Sequence, residues 1–242
     1  MSNRIRHTVG RGGRGGRRFG IVPILLILGA AACMPPAAQS DREEAEFGGP
    51  APAGTGFVRV VNALPGSHPD AGAARVTVGA HGFGPIASGD VTPYRPVETG
   101  AYQVAHAGRD AGVKVREDAY LTVALTGDAV FVIDDAPQEI PRLAQLVLYN
   151  LTEWRPLDLT VIPQNITALQ AVPRGQASRI AVNPIEVTLA VRLSLPQEGR
   201  TAGSRPVGTV QLREGASFGI FAYLDDEGLT ATLHEATVTL PD

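Results

Sequence analysis

Short apolar runs, separated by Gly, Pro and Asp, recur along the chain from Phe57 onward. The first series comprises Phe57 to Val61, Ala74 to Val78, Tyr102 to Ala105, Val113 to Val115, Tyr120 to Leu125 and Val130 to Ile133. A second comprises Leu146 to Tyr149, Leu157 to Ile162, Ile185 to Val191, Val207 to Leu212, Phe218 to Leu224 and Ala236 to Leu240. Some runs alternate apolar with polar residues and others are continuous, the patterns of half-buried and fully buried strands. No long stretch carries the 3.6-residue period of an amphipathic helix. The chain is predicted to be all-β.

The two series are related. Arg59-Val60-Val61-Asn62-Ala63 matches Val147-Leu148-Tyr149-Asn150-Leu151, and Val113-Lys114-Val115-Arg116-Glu117-Asp118-Ala119 matches Val210-Gln211-Leu212-Arg213-Glu214-Gly215-Ala216. The offset grows from 88 residues at Asn62 and Asn150 to 97 at Arg116 and Arg213, so the second copy has gained a loop. Solenoid repeats are shorter than this, so the pattern indicates a duplicated globular unit. Six or so strands per copy suit a small antiparallel β-sandwich. The expected domains are residues 56–136 and 143–242, with Pro137 and Pro141 interrupting pairing in the linker between them.

Ahead of the strands, residues 1–33 carry arginines and no acid, then an apolar stretch from Phe19 to Ala32 that ends in small residues. That order is the n-region, h-region and cleavage end of a signal peptide. In this context the run Arg11 to Arg17, which alone would suit nucleic-acid binding, belongs to the n-region. Cys33 directly follows the h-region and is the one cysteine of the chain. Its position suggests lipidation; the alternative is a small residue lost with the signal, since Ala30 stands where lipoproteins usually have Leu. Residues 34–55, rich in Pro, Ala, Gly and charge, are expected to form a disordered tether.

Charge then narrows the partners. The chain has 21 basic and 24 acidic residues, and the loss of six signal-segment arginines leaves 15 against 24, a formal charge of −9. Such a surface repels nucleic acid, anionic lipid and polyuronate unless a local basic patch overrides the field.

Candidate chemistry is sparse. Gly215-Ala216-Ser217-Phe218-Gly219 fits the G-x-S-x-G nucleophile elbow, and Asp225, Asp226 and His234 follow in hydrolase order. Yet Ser217 opens an apolar strand run and is equivalent to Tyr120 in the first copy, so a strand-opening serine is the preferred reading. His68, His81, His106 and His234 lack the close pairing of zinc ligands and are assigned to surfaces and loops, although His68-Pro69-Asp70 and His81 can in principle converge. Asn62 and Asn150 end equivalent strands, where an Asn side chain bonds the backbone two residues on and starts a turn. Tyr94 and Trp154, in Pro-flanked loops, suit partner-contact anchors and core-edge packing equally well. No catalytic, cofactor-binding or metal-ligating residue is assigned.

The stretch from Gly48-Gly49-Pro50 through Gly54-Thr55-Gly56-Phe57-Val58-Arg59-Val60-Val61-Asn62-Ala63 resembles the start of the mature alginate O-acetylation protein family AlgF. The likeness continues at Glu98-Thr99-Gly100-Ala101-Tyr102, at Glu117-Asp118-Ala119-Tyr120-Leu121-Thr122-Val123, at Val182-Asn183-Pro184-Ile185-Glu186-Val187-Thr188-Leu189-Ala190 and at Leu212-Arg213-Glu214-Gly215. This resemblance implies a periplasmic accessory in O-acetylation of a mannuronate-containing exopolysaccharide. Its implied partners are a membrane acyl-transfer protein and secreted acetyltransferases, and it brings no catalytic residues with it. Cys33 and the longer loops at 66–85 and 196–207 depart from the family pattern. Two other readings stand beside it: a generic secreted or surface-anchored β-sandwich lipoprotein, and an acyl-transfer enzyme using Ser217.

Overall fold

The computed structural model describes residues 44–45, 47–49, 51–153, 156–194 and 204–240, so Cys33, Trp154 and the signal segment lie outside the described residues. A two-residue strand, β1 (Glu44–Ala45), precedes the first module. That module is built from β2 (Thr55–Ala63), β3 (Ala74–Val78), β4 (His81–Ile86), β5 (Arg95–Glu98), β6 (Gly100–His106), β7 (Arg109–Val115), β8 (Tyr120–Thr126) and β9 (Val130–Asp135). The second follows with β10 (Ala144–Asn150), β11 (Leu157–Ile162), β12 (Ile166–Val172), β13 (Ala177–Val182), β14 (Glu186–Leu193), β15 (Arg205–Gln211), β16 (Ser217–Asp225) and β17 (Gly228–Glu235). A final short strand, β18 (Val238–Thr239), pairs antiparallel with β1. No helix occurs among the described residues.

The duplication read from the sequence is repeated in the topology. One sheet of the first module runs β5-β2-β8-β9, and its counterpart in the second runs β13-β10-β16-β17. The hairpins β3-β4 and β6-β7 cover the first, and the sheet β12-β11-β14-β15 covers the second. Registers agree as well: Phe57 stands opposite Tyr120, and their equivalents Gln145 and Ser217 stand opposite each other. The preceding turns also match, with Ala119 N bonding Arg116 O and Ala216 N bonding Arg213 O, both at 3.2 Å. Each turn needs a left-handed residue, Asp118 in one and Gly215 in the other.

The all-β sandwich expectation holds, with one departure from antiparallel order in each module. β2 runs parallel to β8, and β10 runs parallel to β16. These four central strands are buried almost throughout, which is the environment in which parallel pairing is found and why they read as continuous apolar runs.

Strand alternation sorts their side chains into separate layers. Val58, Val60, Leu121 and Val123 fill the first sandwich, and Leu146, Leu148, Phe218 and Ile220 fill the second. The opposite faces bring Val61 and Ala124 against Tyr149 and Phe221. The result is four stacked layers of sheet with three apolar seams. Each fully buried Val, Leu or Phe in them contributes about 1.5–3 kcal/mol.

The C-terminal part of the expected tether joins this fold. Phe47 stacks on Tyr94 at 5.1 Å between ring centroids and meets the Tyr120 ring edge-on at 4.8 Å. Gly48 N donates to the Tyr120 hydroxyl, which donates to Gly49 O. Ala51 N and Gly54 N donate to Asp118 and Glu117, and β1 pairs with β18, so a stretch whose composition read as disordered is anchored at several points.

Candidate functional site

The polar centre of the molecule lies in the seam between the modules. Arg59 sits mid-strand in β2 on the face turned toward the second module and is 2% exposed. Its Nε donates to Thr122 Oγ1 at 2.9 Å and its Nη2 to the Tyr149 hydroxyl at 2.7 Å. Both acceptors pass the interaction on: Thr122 Oγ1 donates to Asp135 Oδ2 at 2.5 Å, and Tyr149 donates to Asp135 Oδ1 at 2.6 Å. The Tyr94 hydroxyl adds a third donor to Asp135, at 2.7 Å. The guanidinium also lies 4.4 Å from the Tyr94 ring centroid and 5.1 Å from that of Phe221, within cation–π range.

Burial alone would lower the Arg59 pKa, but the facing Tyr149, Tyr94 and Asp135 outweigh it and hold the guanidinium above its ordinary value. Burial likewise pushes the Tyr94 and Tyr149 hydroxyls up, so both keep their protons and act as donors. Removing one member would leave its partners unsatisfied in the seam, which is why such a network fixes one mutual orientation of the elements it joins. Sequence reasoning did not single out Arg59, Tyr149 or Asp135. The available signal was an arginine inside an apolar strand run, at a position where the second copy carries Val147.

Tyr94 belongs to this centre. It is fully buried, and its backbone bonds both ways with the C-terminal segment: its N donates to Thr237 O, and its O accepts from Thr239 N. Of the two roles the sequence left open, core packing is the one realised, since a side chain at 0% exposure offers no surface to a partner.

The elbow-like motif is accounted for by packing. Ser217 is 3% exposed and its hydroxyl donates to Gln145 Oε1 at 3.0 Å. His234 Nε2 meets Gly89 O at 3.0 Å, and Asp225 caps a turn by accepting from Glu227 N. Ser217 and Asp225 are the two ends of nine-residue β16, about 26 Å apart at strand rise, so Asp225 does not join Ser217, although His234 stands opposite Gly219 across the β16–β17 pair. The motif's glycines have their own reasons: Gly215 is left-handed in the turn, and a Cβ at Gly219 would stand 2.8 Å from the Phe221 ring.

Asn62 and Asn150 behave as turn starters. Asn62 Oδ1 accepts from Leu64 N at 3.1 Å and Asn150 Oδ1 from Thr152 N at 3.2 Å, each two residues on. The amide of Asn62 also donates to Ala71 O and Ile86 O, and that of Asn150 to Val172 O.

Two further features concern ligands. A recess of about 370 Å³ opens at the seam where β2, β8, β10 and β16 end, and its lining includes Asp128, Glu153 and Asp225. The histidines, by contrast, are closer than their spacing suggested. His68, Asp70 and His106 offer donor atoms all within 4.8 Å of one another, from the β2–β3 loop and the tip of the β6–β7 hairpin. Burial lowers the His106 pKa, which keeps the ring neutral near neutral pH. His81 lies apart from them, paired with Glu98 at 2.7 Å.

Among solved structures, a candidate cell adhesion protein from Bacteroides ovatus ATCC 8483 aligns with 76% of this chain and 98% of its own at 10% identity, with a TM-score of 0.26. A second from Bacteroides eggerthii DSM 20697 aligns with 81% and 99% at 8% identity and a TM-score of 0.20. A leucine-rich repeat protein from Bacteroides thetaiotaomicron VPI-5482 aligns with 78% of this chain and 27% of its own at 10% identity and a TM-score of 0.21. No curated protein matches the sequence. The model of the family described as alginate O-acetyl transferase AlgF matches residues 27–215, more than three quarters of the 242-residue chain; the chain belongs to the AlgF family, whose name ties it to alginate O-acetylation.

Proposed function

We propose that this protein is a non-catalytic accessory of exopolysaccharide O-acetylation, an adaptor that holds acetyltransferase partners against its paired sandwiches. The observation that carries the proposal is the family match across both modules, through residue 215. The side chains that would serve an acyl-transfer enzyme support it, because they have other work: Ser217 bonds Gln145, and His234 bonds Gly89. The seam recess supports it too. Of the three carboxylates in its lining, Asp128 is paired with Arg174, and the remaining acidic character from Glu153 and Asp225 disfavours a polyuronate and suits basic side chains of a protein partner. The substrate polymer is alginate-like, rich in mannuronate, and is modified by the partners. We place the protein in the periplasm, tethered to a membrane through a lipidated Cys33, within reach of a membrane acyl-transfer protein and secreted acetyltransferases.

The test is the acetyl-ester content of polymer from a strain lacking the gene, set against the complemented strain and one carrying Ser217→Ala. The expected result is loss of ester with polymer yield retained, and full restoration by both the wild-type and the Ser217→Ala protein. Ester lost in the Ser217→Ala strain while the protein stays folded would instead assign the chemistry to this chain. Unchanged ester in the deletion strain would remove the acetylation role.

A further inference from the structure

His106 closes β6 and is the last residue before the two-residue turn Ala107–Gly108, whose φ values of 50° and 74° are those of a tight hairpin turn. Its side chain is 7% exposed and directed inward, and its Nε2 has no hydrogen-bond partner. Buried polar nitrogens in folded proteins are nearly always satisfied, so an unpaired one calls for a missing occupant. Asp70 Oδ2 lies 3.8 Å away, too far for a hydrogen bond, and the His68 ring centroid stands 5.9 Å from that of His106.

We propose that His68, Asp70 and His106 form a site for one divalent first-row transition cation of the zinc class, with a remaining coordination position open to water or to a partner's side chain. The donor set decides the metal: two imidazole nitrogens and one carboxylate oxygen suit zinc and its neighbours, whereas calcium calls for six to eight oxygens. The geometry is close to what is needed. In a tetrahedral site with bonds of about 2.0–2.1 Å, donors stand roughly 3.4 Å apart, against the 3.8 Å between His106 and Asp70 and the 4.8 Å limit for the three together. The remaining closure is within the reach of side chains on a loop and a hairpin tip.

The loop is held ready for this. Its turns are fixed by His68 N to Pro65 O at 2.9 Å and Ala71 N to His68 O at 3.0 Å, and Asn62 secures Ala71 O from below. Ser67 ties it to the second module through Asp226 at 2.5 Å. His68 Nδ1 at present accepts from Asp70 N at 3.2 Å, and binding exchanges that hydrogen bond for a coordinate bond. Arg109, the register partner of His106, adds positive charge that restrains the affinity. The bound cation would join loop 64–73 to the β6–β7 hairpin.

The experiment is calorimetric titration of the chelator-stripped full chain with zinc chloride, beside His68→Ala, Asp70→Asn and His81→Ala variants. One equivalent should bind saturably in the wild type and in His81→Ala, and His68→Ala and Asp70→Asn should each weaken it at least tenfold. Both sit on the loop surface, so the test stands even if His106→Ala fails to fold, and circular dichroism verifies the fold of each variant. Absence of saturable binding, or binding of equal strength in His68→Ala and Asp70→Asn, overturns the site.

Discussion

At equivalent positions of the central strands the first module carries Arg59, Val61, Thr122 and Ala124, and the second carries Val147, Tyr149, Gly219 and Phe221. All eight face the seam or its margin, and the substitutions are complementary. Where the first module is small, at Val61 and Ala124, the second supplies rings, Tyr149 and Phe221, stacked at 4.4 Å. Where the first projects Arg59, the second answers with the Tyr149 hydroxyl. The faces turned to each sandwich's own core have stayed alike in character, filled on both sides by Val, Leu, Ile and Phe. Two copies of one unit have thus kept their interiors and diverged where they touch, which turns a repeat into a single four-layer stack.

Breaking the seam at its charge should cost most. Arg59→Ala leaves the Tyr149 and Thr122 oxygens without their donor, opens a cavity in the seam and removes the cation facing half-buried Asp135, so urea unfolding should show a loss of about 3–5 kcal/mol. The double variant Arg59→Met with Asp135→Asn should recover part of that loss, because the seam then holds neither charge and Met refills the Arg59 volume; an additive result would show that the two residues are not coupled. Next in size is Gly219→Ala, whose new methyl group would collide with the Phe221 ring. It should destabilise by roughly 1–3 kcal/mol, whereas Gly82→Ala, open on its Cβ side, should change stability by no more than about 0.5 kcal/mol.

The shared asparagines test what the copies have in common. Asn62→Ala and Asn150→Ala should each cost about 1–3 kcal/mol, since the first leaves the Ala71 and Ile86 carbonyls without that donor, the second the Val172 carbonyl, and each undoes a turn. A near-zero value for one alone would mean that the turn has lost its importance in that module. The smallest effect concerns His234, whose pKa burial holds below its ordinary value of 6.5. The neutral ring is favoured in the fold, so its contribution is complete above about pH 6.5 and is lost as pH falls toward the depressed folded value. His234→Gln should flatten the stability profile in that window and leave it unchanged above pH 7.

The strands most visible in the sequence are those with the most buried neighbours. Phe57 to Val61, Tyr120 to Leu125 and Phe218 to Leu224 correspond to β2, β8 and β16, whose side chains face apolar layers on both sides. Besides two-residue β1, which lies in the expected tether, five strands escaped notice: β4, β5, β12, β13 and β17. Each stands at the edge of its sheet or hairpin, where one side is unpaired and burial is partial, so Gly82, Pro96, Arg179 or His234 can be accommodated without loss of a central apolar contact.

The seam was illegible for a different reason. Nothing in a strand's pattern says whether the second apolar face meets another module of the same chain, and Arg59 gains its meaning from Thr122 and from Tyr149, 63 and 90 residues away. The histidine cluster is hidden in the same way: the 37 residues between His68 and His106 hold β3, β4, β5 and all of β6 but its last residue, with the loops that fold them back together.

The pairing of β1 with β18 sets an order of events in time. Tyr94 is covered on one side by Phe47 and bonded on the other to Thr237 and Thr239, so its aromatic cluster needs segments separated by nearly the whole folded length. Synthesis proceeds from the N-terminus, and contacts of such separation form late. The first sandwich therefore waits, with one aromatic end uncovered, until the last strand arrives to close it, and a chain truncated before Val238 retains the marks of an unfinished one.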